Sequence, residues 1–281
     1  MMSTRRNFIQ VSALGIAGTL ARPLGARAGN SDSVTGLTTG IAGYTFAKFD
    51  LDRSIAMMKR LDMHYISVKD VHLPLNSTAD KIQTVLSKFG DAGIKVYTVG
   101  VIYMKTKEAV DEAFEYSKKV GVPMIVCVPN PDLLDYTEEK VKTTGIKAAI
   151  HNHGPDDKLY PGPRSVYELI KDRDKAMGLC LDIGHATRAG EEPAKAIIAY
   201  KSRIFDLHIK DVSLAAREGK AIEMGRGIID FTGLVNALRK IQYKGICSIE
   251  FEKDMEDPLP GIAESVGYFK GIIANGNHHH R

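Results

Sequence analysis

The chain has 281 residues, of which 44% are hydrophobic and 26% charged, a composition typical of folded globular proteins. Its formal net charge is +4, and the excess comes from four arginines within the first 28 residues, which hold no acidic side chain. Without these four, the 38 basic residues fall to 34, which equals the number of acidic residues. A neutral body argues against nucleic-acid binding and electrostatic membrane docking. Three cysteines are too few for a disulfide framework.

The first 28 residues have the organisation of an export signal. The pair Arg5-Arg6 precedes Asn-Phe-Ile, residues 11–21 form a short apolar run, and Ala26-Arg27-Ala28 is a small-x-small cleavage site. The apolar run is too short to span a bilayer, so it predicts a removable signal peptide and no membrane anchor. The arginine pair resembles the twin-arginine export signal, with an ordinary secretory signal as the alternative. We expect an exported, periplasmic protein with a linker over residues 29–39.

From Gly40 onward, short apolar or β-branched runs alternate with segments of helical period. In chain order, the predicted strands are residues 41–45, 65–69, 95–101, 124–128, 146–151, 177–182, 204–209 and 245–250. The predicted helices are residues 51–61, 79–92, 107–120, 165–172, 193–201, 231–242 and 257–274. The segment between the fourth and fifth strands, residues 132–144, is short and charged, and we expect only a turn or two of helix there.

Eight strands alternating with helices indicate parallel β-α units, and about 250 residues suit a single (β/α)8 barrel, or TIM barrel. The alternative is a doubly wound open sheet, which usually has a glycine-rich turn after its first strand. Residues 43–46, Gly-Tyr-Thr-Phe, are no such turn. The sequence therefore predicts an α/β protein with one barrel over residues 40–274 and a disordered tail over residues 275–281.

Polar residues gather where the predicted strands end, which is the catalytic face of such a barrel. Because side chains alternate along a strand, the fifth to eighth strands can each direct one donor to a common point. These donors are His151, Asp182, His208 and Glu250. Two imidazoles and two carboxylates suit Mn²⁺, Co²⁺, Fe²⁺ or Zn²⁺ better than Mg²⁺ or Ca²⁺. We expect one divalent metal ion, with Mn²⁺ as the first candidate.

Five segments at these strand ends and in the loops beyond them carry a family resemblance. They are residues 149–154 (Ala-Ile-His-Asn-His-Gly), 180–186 (Cys-Leu-Asp-Ile-Gly-His-Ala), 207–211 (Leu-His-Ile-Lys-Asp), 225–231 (Gly-Arg-Gly-Ile-Ile-Asp-Phe) and 243–250 (Tyr-Lys-Gly leading to Ser-Ile-Glu). The chain resembles the xylose isomerase-like barrels of the sugar phosphate isomerase/epimerase type, whose relatives include tagatose epimerases and inosose dehydratase. The resemblance covers nearly the whole chain after the leader.

The resemblance implies a metal site and also marks a departure. Family members typically hold one divalent ion with Glu, Asp, His and Glu from strands five to eight, which implies Asp182, His208 and Glu250 as ligands here. This chain has His151 where relatives commonly have a glutamate that also transfers a proton. The pair of carboxylates used by the ketose 3-epimerases is therefore broken.

The expected chemistry is proton abstraction next to a sugar carbonyl, which a bound divalent ion makes more acidic. Glu250, His153 and Lys210 are the candidate catalytic residues, and a lysine acts as a base only where its pKa is lowered. The residues expected to bind the substrate are Lys69, His72, His185 and Glu252.

These features predict a sugar isomerase or epimerase that acts on a non-phosphorylated carbohydrate, since phosphorylated sugars are cytoplasmic metabolites. The first alternative is a lyase or dehydratase that eliminates from a keto-sugar or a 3-keto-glycoside. Two further alternatives are a non-catalytic sugar-binding barrel and a nuclease like endonuclease IV, which needs three zinc ions and a basic groove. The sequence does not indicate an oligomeric state.

Overall fold

A computed structural model describes residues 36–275, so the predicted leader and the tail beyond Asn275 lie outside the described residues. Eight parallel strands close into a barrel in chain order, and the last strand pairs with the first. The barrel strands are β1 (Thr38–Ala42), β2 (Tyr65–Val68), β3 (Lys95–Met104), β4 (Met124–Pro129), β5 (Lys147–His151), β6 (Met177–Asp182), β7 (Ile204–Ile209) and β10 (Ile246–Ile249). A short hairpin, β8 (Asp211–Val212) and β9 (Ala221–Ile222), follows β7. The predicted (β/α)8 barrel is confirmed.

Helices surround the barrel, and polar side chains fix where several of them begin. The helices are α1 (Leu51–Arg60), α2 (Ala79–Asp91), α3 (Lys107–Val120), α4 (Leu134–Thr144), α5 (Pro163–Ile170), α6 (Ile183–Arg188), α7 (Pro193–Ala199), α8 (Phe231–Lys240) and α9 (Leu259–Asn275). Asp50, Thr78, Thr106 and Asp230 each accept a backbone N–H from the first turn of the helix that follows. Such caps satisfy donors that have no partner within the helix. None of the described helices is long and apolar enough to cross a membrane.

The prediction for residues 132–144 was wrong, because α4 is a complete helix of 11 residues. Leu134, Thr137 and Val141 are buried at helical spacing, so tertiary packing stabilises a segment whose sequence is mostly polar. Gly145 ends the helix with a positive φ of 71°, which glycine adopts without strain. The first strand also differs from its prediction. It ends at Ala42, and Gly43–Phe46 form a single 3-10 turn.

The hairpin after β7 and the glycine-rich loop beyond it are held by Asp211. Its carboxylate accepts backbone N–H groups from Val212, Gly225, Gly227 and Ile229. The side chain of Asp211 is buried, and four donors on one carboxylate compensate for its lost hydration. The Gly-Arg-Gly segment therefore has a structural role in this fold: it wraps around a buried acid.

One buried arginine binds several backbone carbonyls at the amino end of the barrel strands. Arg203, which precedes β7, is 8% exposed and donates to the backbone carbonyls of Lys171, Arg173, Asp174 and Met177 at 2.6–2.9 Å. The first three of these carbonyls lie in the connection between α5 and β6, and the fourth belongs to the first residue of β6. The guanidinium therefore closes the end of α5 onto the start of two barrel strands.

We predict that Arg203→Met lowers the free energy of unfolding by about 3 kcal/mol, because four backbone carbonyls, one of them fully buried, lose a charged donor while the apolar stem is kept. Urea unfolding followed by circular dichroism measures the change. Arg226→Met is the control, since Arg226 is an exposed arginine paired with Glu264. That variant should unfold almost as the wild type does. Equal losses in both variants would contradict the role given to Arg203.

Candidate metal centre

The structure brings the four predicted donors together at the carboxyl end of the barrel. His151 ends β5, Asp182 ends β6, His208 lies on β7 beside Asp182, and Glu250 directly follows β10. One donor atom from each residue lies within 4.8 Å of the other three. His151 Nε2 is 3.0 Å from His208 Nδ1 and 3.5 Å from Asp182 Oδ2, and His208 Nδ1 is 3.2 Å from Glu250 Oε2. All four side chains are buried, at 5% exposure or less.

Asp182 is held in place by Asn152, which directly follows β5. The side-chain oxygen of Asn152 accepts the backbone N–H of Asp182 at 3.0 Å, and its NH₂ group donates to the Asp182 carbonyl at 3.1 Å. The carboxylate of Asp182 also caps α6, since its Oδ1 accepts the N–H of His185. The other oxygen, Oδ2, is thereby directed toward the two imidazoles.

Lys210 is the closest cation to this cluster. Its Nζ lies 3.0 Å from Asp182 Oδ2, 2.6 Å from Glu250 Oε2 and 2.8 Å from Glu252 Oε2. Burial alone would lower the pKa of Lys210, but the three carboxylates outweigh it and hold that pKa well above its ordinary value. The sequence allowed Lys210 as a base if its pKa were lowered. The contacts instead make it a permanent positive charge.

The histidines differ in their charge. Burial lowers the pKa of His151 to about 3 and that of His185 to about 4, so both rings are neutral at neutral pH. Burial also disfavours the charged form of His208, but Glu250 outweighs it and raises the pKa of this ring. Burial lowers the pKa of His153 as well, which leaves it a neutral acceptor. Neutral imidazoles are the form that binds metal ions.

A cavity of about 210 Å³ opens above the cluster. Its wall contains six predicted site residues: His151, Glu250, Lys69, His153, His185 and Glu252. Glu252 keeps part of its side chain in contact with solvent, and burial raises its pKa above the ordinary value. Three of the four residues predicted to bind the substrate therefore line this cavity.

His72 does not line the cavity. Its ring is 4% exposed, and its Nε2 lies 3.1 Å from Ser54 Oγ on α1. The prediction placed it in the site because it follows β2 closely. The backbone N–H of His72 donates to the carbonyl of Lys69 and closes a turn after β2. This turn places the His72 side chain beneath α1, away from the cavity.

Sequence reasoning missed two tyrosines of the cavity wall, Tyr44 and Tyr103. Both side chains are exposed to solvent, at 43% and 48% of their surface. The Tyr103 hydroxyl lies 3.0 Å from His153 Nε2, and the two rings stack with centroids 5.5 Å apart. The predicted third strand stopped at Val101, whereas β3 continues to Met104 and places Tyr103 at its carboxyl end. Extending the predicted third strand along the apolar run to Met104 would have identified Tyr103.

Below the cluster lies a further buried acid, Asp206, two residues before His208 on β7. The hydroxyl of Tyr97 donates to both of its oxygens, at 2.9 and 3.1 Å. Burial raises the pKa of Asp206 to about 7. Because it lies one layer deeper in the barrel, Asp206 does not reach the cavity, and its contacts are structural.

The donor set fits a divalent transition metal. His151 Nε2 and His208 Nδ1 face each other and can share one proton at most, so a lone pair on at least one ring is free. Asp182 Oδ2 has no hydrogen-bond partner among the described residues, even though Lys210 Nζ lies 3.0 Å away. A lone pair from at least one imidazole and those of two ionised carboxylates thus converge on one point, and loss of the proton that the two rings share would add the second imidazole, as in metal sites built from nitrogen and oxygen ligands.

An eight-stranded β-α barrel with a cluster of His, Asp and Glu donors at its carboxyl face defines the general class of this protein. Residues 101–272 match the family described as Xylose isomerase-like TIM barrel. The chain belongs to this family, and the resemblance seen in the sequence is confirmed.

Relatives of known sequence include an uncharacterised protein, MJ1311, of Methanocaldococcus jannaschii. It is 27% identical over 222 residues, which cover 70% of this chain and 73% of that protein. An inosose dehydratase of Clostridium beijerinckii is 27% identical over 143 residues, which cover 44% of this chain and 45% of the dehydratase. The chain thus matches less than half the length of that enzyme.

Solved structures give the same fold. A protein of Parabacteroides distasonis without assigned function is 27% identical, covers 84% of this chain and 99% of its own, and has a TM-score of 0.65. The IolI protein, whose structure contains a bound zinc atom, is 17% identical, covers 85% of this chain and 99% of its own, and has a TM-score of 0.71.

We predict that the wild-type protein binds one divalent ion per chain and that His208→Gln reduces this to under about a tenth, because a donor is removed from a four-residue set. Metal analysis after dialysis measures the ratio. The three histidines of the tail, His278 to His280, should be replaced by alanine throughout, since they can bind metal on their own.

The matched control is His185→Gln, which alters a histidine of the same cavity that lies outside the four-donor cluster. It should keep nearly the full metal content. Loss of metal in both variants, or in neither, would contradict the assignment of ligands.

Proposed function

We propose that this protein is a metal-dependent enzyme that removes a proton next to the carbonyl group of a non-phosphorylated sugar, with isomerisation or epimerisation as the outcome. The observation that carries this proposal is that two of the four clustered donors, His151 and Glu250, line a cavity whose wall holds several other ionisable side chains. A divalent ion bound there would polarise the substrate carbonyl and stabilise the negative charge that develops on its oxygen.

The proposed ligand set is His151, Asp182, His208 and Glu250, with open positions for oxygen atoms of the substrate. Mn²⁺ is the first candidate, with Co²⁺, Fe²⁺ and Zn²⁺ as alternatives that the same nitrogen and oxygen donors accept. The zinc atom in the structure of IolI supports a divalent ion in this fold and does not decide its identity here.

Proton transfer is assigned to the groups on the two sides of the cavity. His153 is a neutral imidazole, and its Nε2, next to the Tyr103 hydroxyl, can accept a proton from the substrate. Glu252, whose pKa is raised by burial, can hold and return a proton from the opposite side. Lys210, whose Nζ lies 2.8 Å from Glu252 Oε2, keeps a positive charge and can stabilise developing negative charge. Glu250, ionised and hydrogen bonded to Lys210, is the alternative base.

The charges around the cavity favour a neutral substrate over a sugar phosphate. Lys210 is already paired with three carboxylates, and Lys69 lies 3.4 Å from Asp70. A phosphate group in this cavity would therefore face carboxylates with no unpaired cation beside them among the lining residues. The proposed export through a twin-arginine signal, which rests on Arg5-Arg6, agrees with a non-phosphorylated carbohydrate found outside the cytoplasm.

Elimination from a keto-sugar is the second candidate, and the asymmetry of the cavity favours it. The two carboxylates that line the cavity, Glu250 and Glu252, both follow β10, whereas the imidazoles of His151 and His153 come from the end of β5 and the residues after it. A carboxylate pair across the substrate, suited to moving a proton from one face to the other, is replaced by a carboxylate and imidazoles. One base and one acid suffice for β-elimination. The similarity to inosose dehydratase supports this alternative.

We predict that the metal-loaded protein, incubated in D₂O with ketoses and with 3-keto-glucosides, incorporates deuterium at the carbon next to the carbonyl. Mass spectrometry and proton NMR distinguish the outcomes, because a rearranged deuterated sugar indicates isomerisation and a released aglycone indicates elimination. His153→Gln should slow exchange by about 10²-fold or more, since a general base is removed. The absence of exchange and of release with every sugar would refute the proposed function.

A further inference from the structure

A cavity of about 400 Å³ lies at the amino end of the barrel, at the opposite mouth from the four donors. Met124, Lys147, Ile204 and Ile246 line it, and these are the first residues of β4, β5, β7 and β10. Its volume falls in the range of about 300–1,000 Å³ that is typical of ligand-binding pockets. The barrel therefore offers a second place for a small molecule, apart from the four-donor cluster.

Two aromatic rings reach this cavity because their strands bulge. Tyr97 is an extra residue of β3, since the residues on either side of it pair with consecutive residues of β2. Phe205 is in the same way an extra residue of β7 against β6. A bulge takes a side chain out of the regular alternation, and bulges are common at the rims of barrels. Gly178 on β6 leaves room for the Phe205 ring, because a Cβ atom there would lie 2.5 Å from it.

The hydroxyl groups of the wall are already used within the protein. Tyr97 donates to both carboxylate oxygens of Asp206, which lies one layer deeper in the barrel, and Tyr243 donates to the backbone carbonyl of Ile246 at 3.2 Å. A ligand in this cavity therefore meets mainly rings and aliphatic side chains. Such a wall favours an aromatic or aliphatic body over a sugar, whose hydroxyls each need a partner when they are buried.

The charged side chains of the wall are two lysines, Lys147 and Lys244. Both are exposed, and neither has an ion-pair partner among the residues that the structure describes. None of the described residues in the wall is acidic. Lys147 Nζ lies 5.1 Å from the centre of the Phe205 ring, so its positive charge is placed directly beside the aromatic part of the wall. The cavity thus complements an anion with an apolar body.

We propose that this cavity binds an aromatic carboxylate, with its ring against Tyr97 and Phe205 and its carboxylate at Lys147 and Lys244. A neutral aromatic compound would leave the two ammonium groups without a partner. A small anion without a ring would leave the apolar wall uncovered. None of the four donors lines this cavity, so the inference does not depend on the proposed function.

The test is a ¹⁹F NMR titration of the wild type with three probes. 4-Fluorobenzoate should bind at least fivefold more tightly than 4-fluorobenzamide, which has the same ring without the charge, and more tightly than trifluoroacetate, which has the charge without the ring. The affinity for 4-fluorobenzoate should be the same in the metal-free and the Zn²⁺-loaded protein. Binding that requires Zn²⁺ would place the carboxylate at the four-donor cluster and overturn the inference.

The double variant Lys147→Gln/Lys244→Gln should bind the benzoate and the benzamide equally, because only the attraction to the carboxylate is removed. Lys95→Gln is the matched control and should keep the affinity for 4-fluorobenzoate within twofold. Like Lys147, Lys95 is an exposed lysine at the first position of a barrel strand, but it does not line the cavity.

A crystal structure of the wild type with 4-fluorobenzoate gives a second readout that does not depend on the variants folding. The ring should lie against Tyr97 and Phe205, with the carboxylate toward the two lysines. The inference is overturned by equal binding of the benzoate and the benzamide to the wild type, by a preference for the benzoate that survives in the double variant, or by a benzoate bound elsewhere in the crystal.

Discussion

The site depends on the cost of placing two ionised carboxylates inside the barrel. Asp182 and Glu250 lie on either side of β7, are almost fully buried, and have pKa values well below the ordinary range. Burial by itself would raise both, and each buried charge that lacks a partner costs several kcal/mol. Lys210 supplies one positive charge against two negative ones. A divalent ion between the same oxygens and the two imidazoles would complete the compensation.

Much of this arrangement follows from the sequence, because register and period are local properties. Asp182 and His208 pair directly across β6 and β7, which the alternation along two predicted strands already indicates. The eight strands were predicted for the same reason: each is a short apolar run between turns or helices. The four donors then come together because a closed barrel brings adjacent strand ends to one face.

The sequence could not predict properties that depend on packing between distant segments. The polar segment that became α4 is helical because Leu134 and Val141 meet the barrel. The charge of Lys210 follows from carboxylates on two other strands, so its raised pKa has no local signal. His72 comes four residues after β2, and only the path of the loop decides that it turns beneath α1.

His151 is the residue at which this chain differs from the expected pattern of its family, and the proposed chemistry depends on it most. Anomalous X-ray scattering from a crystal of the Mn²⁺-loaded protein tests it directly. We predict one strong peak within bonding distance of His151 Nε2, Asp182 Oδ2, His208 Nδ1 and Glu250 Oε2. A peak that leaves His151 outside the coordination shell, or no peak between these four side chains, would contradict the account.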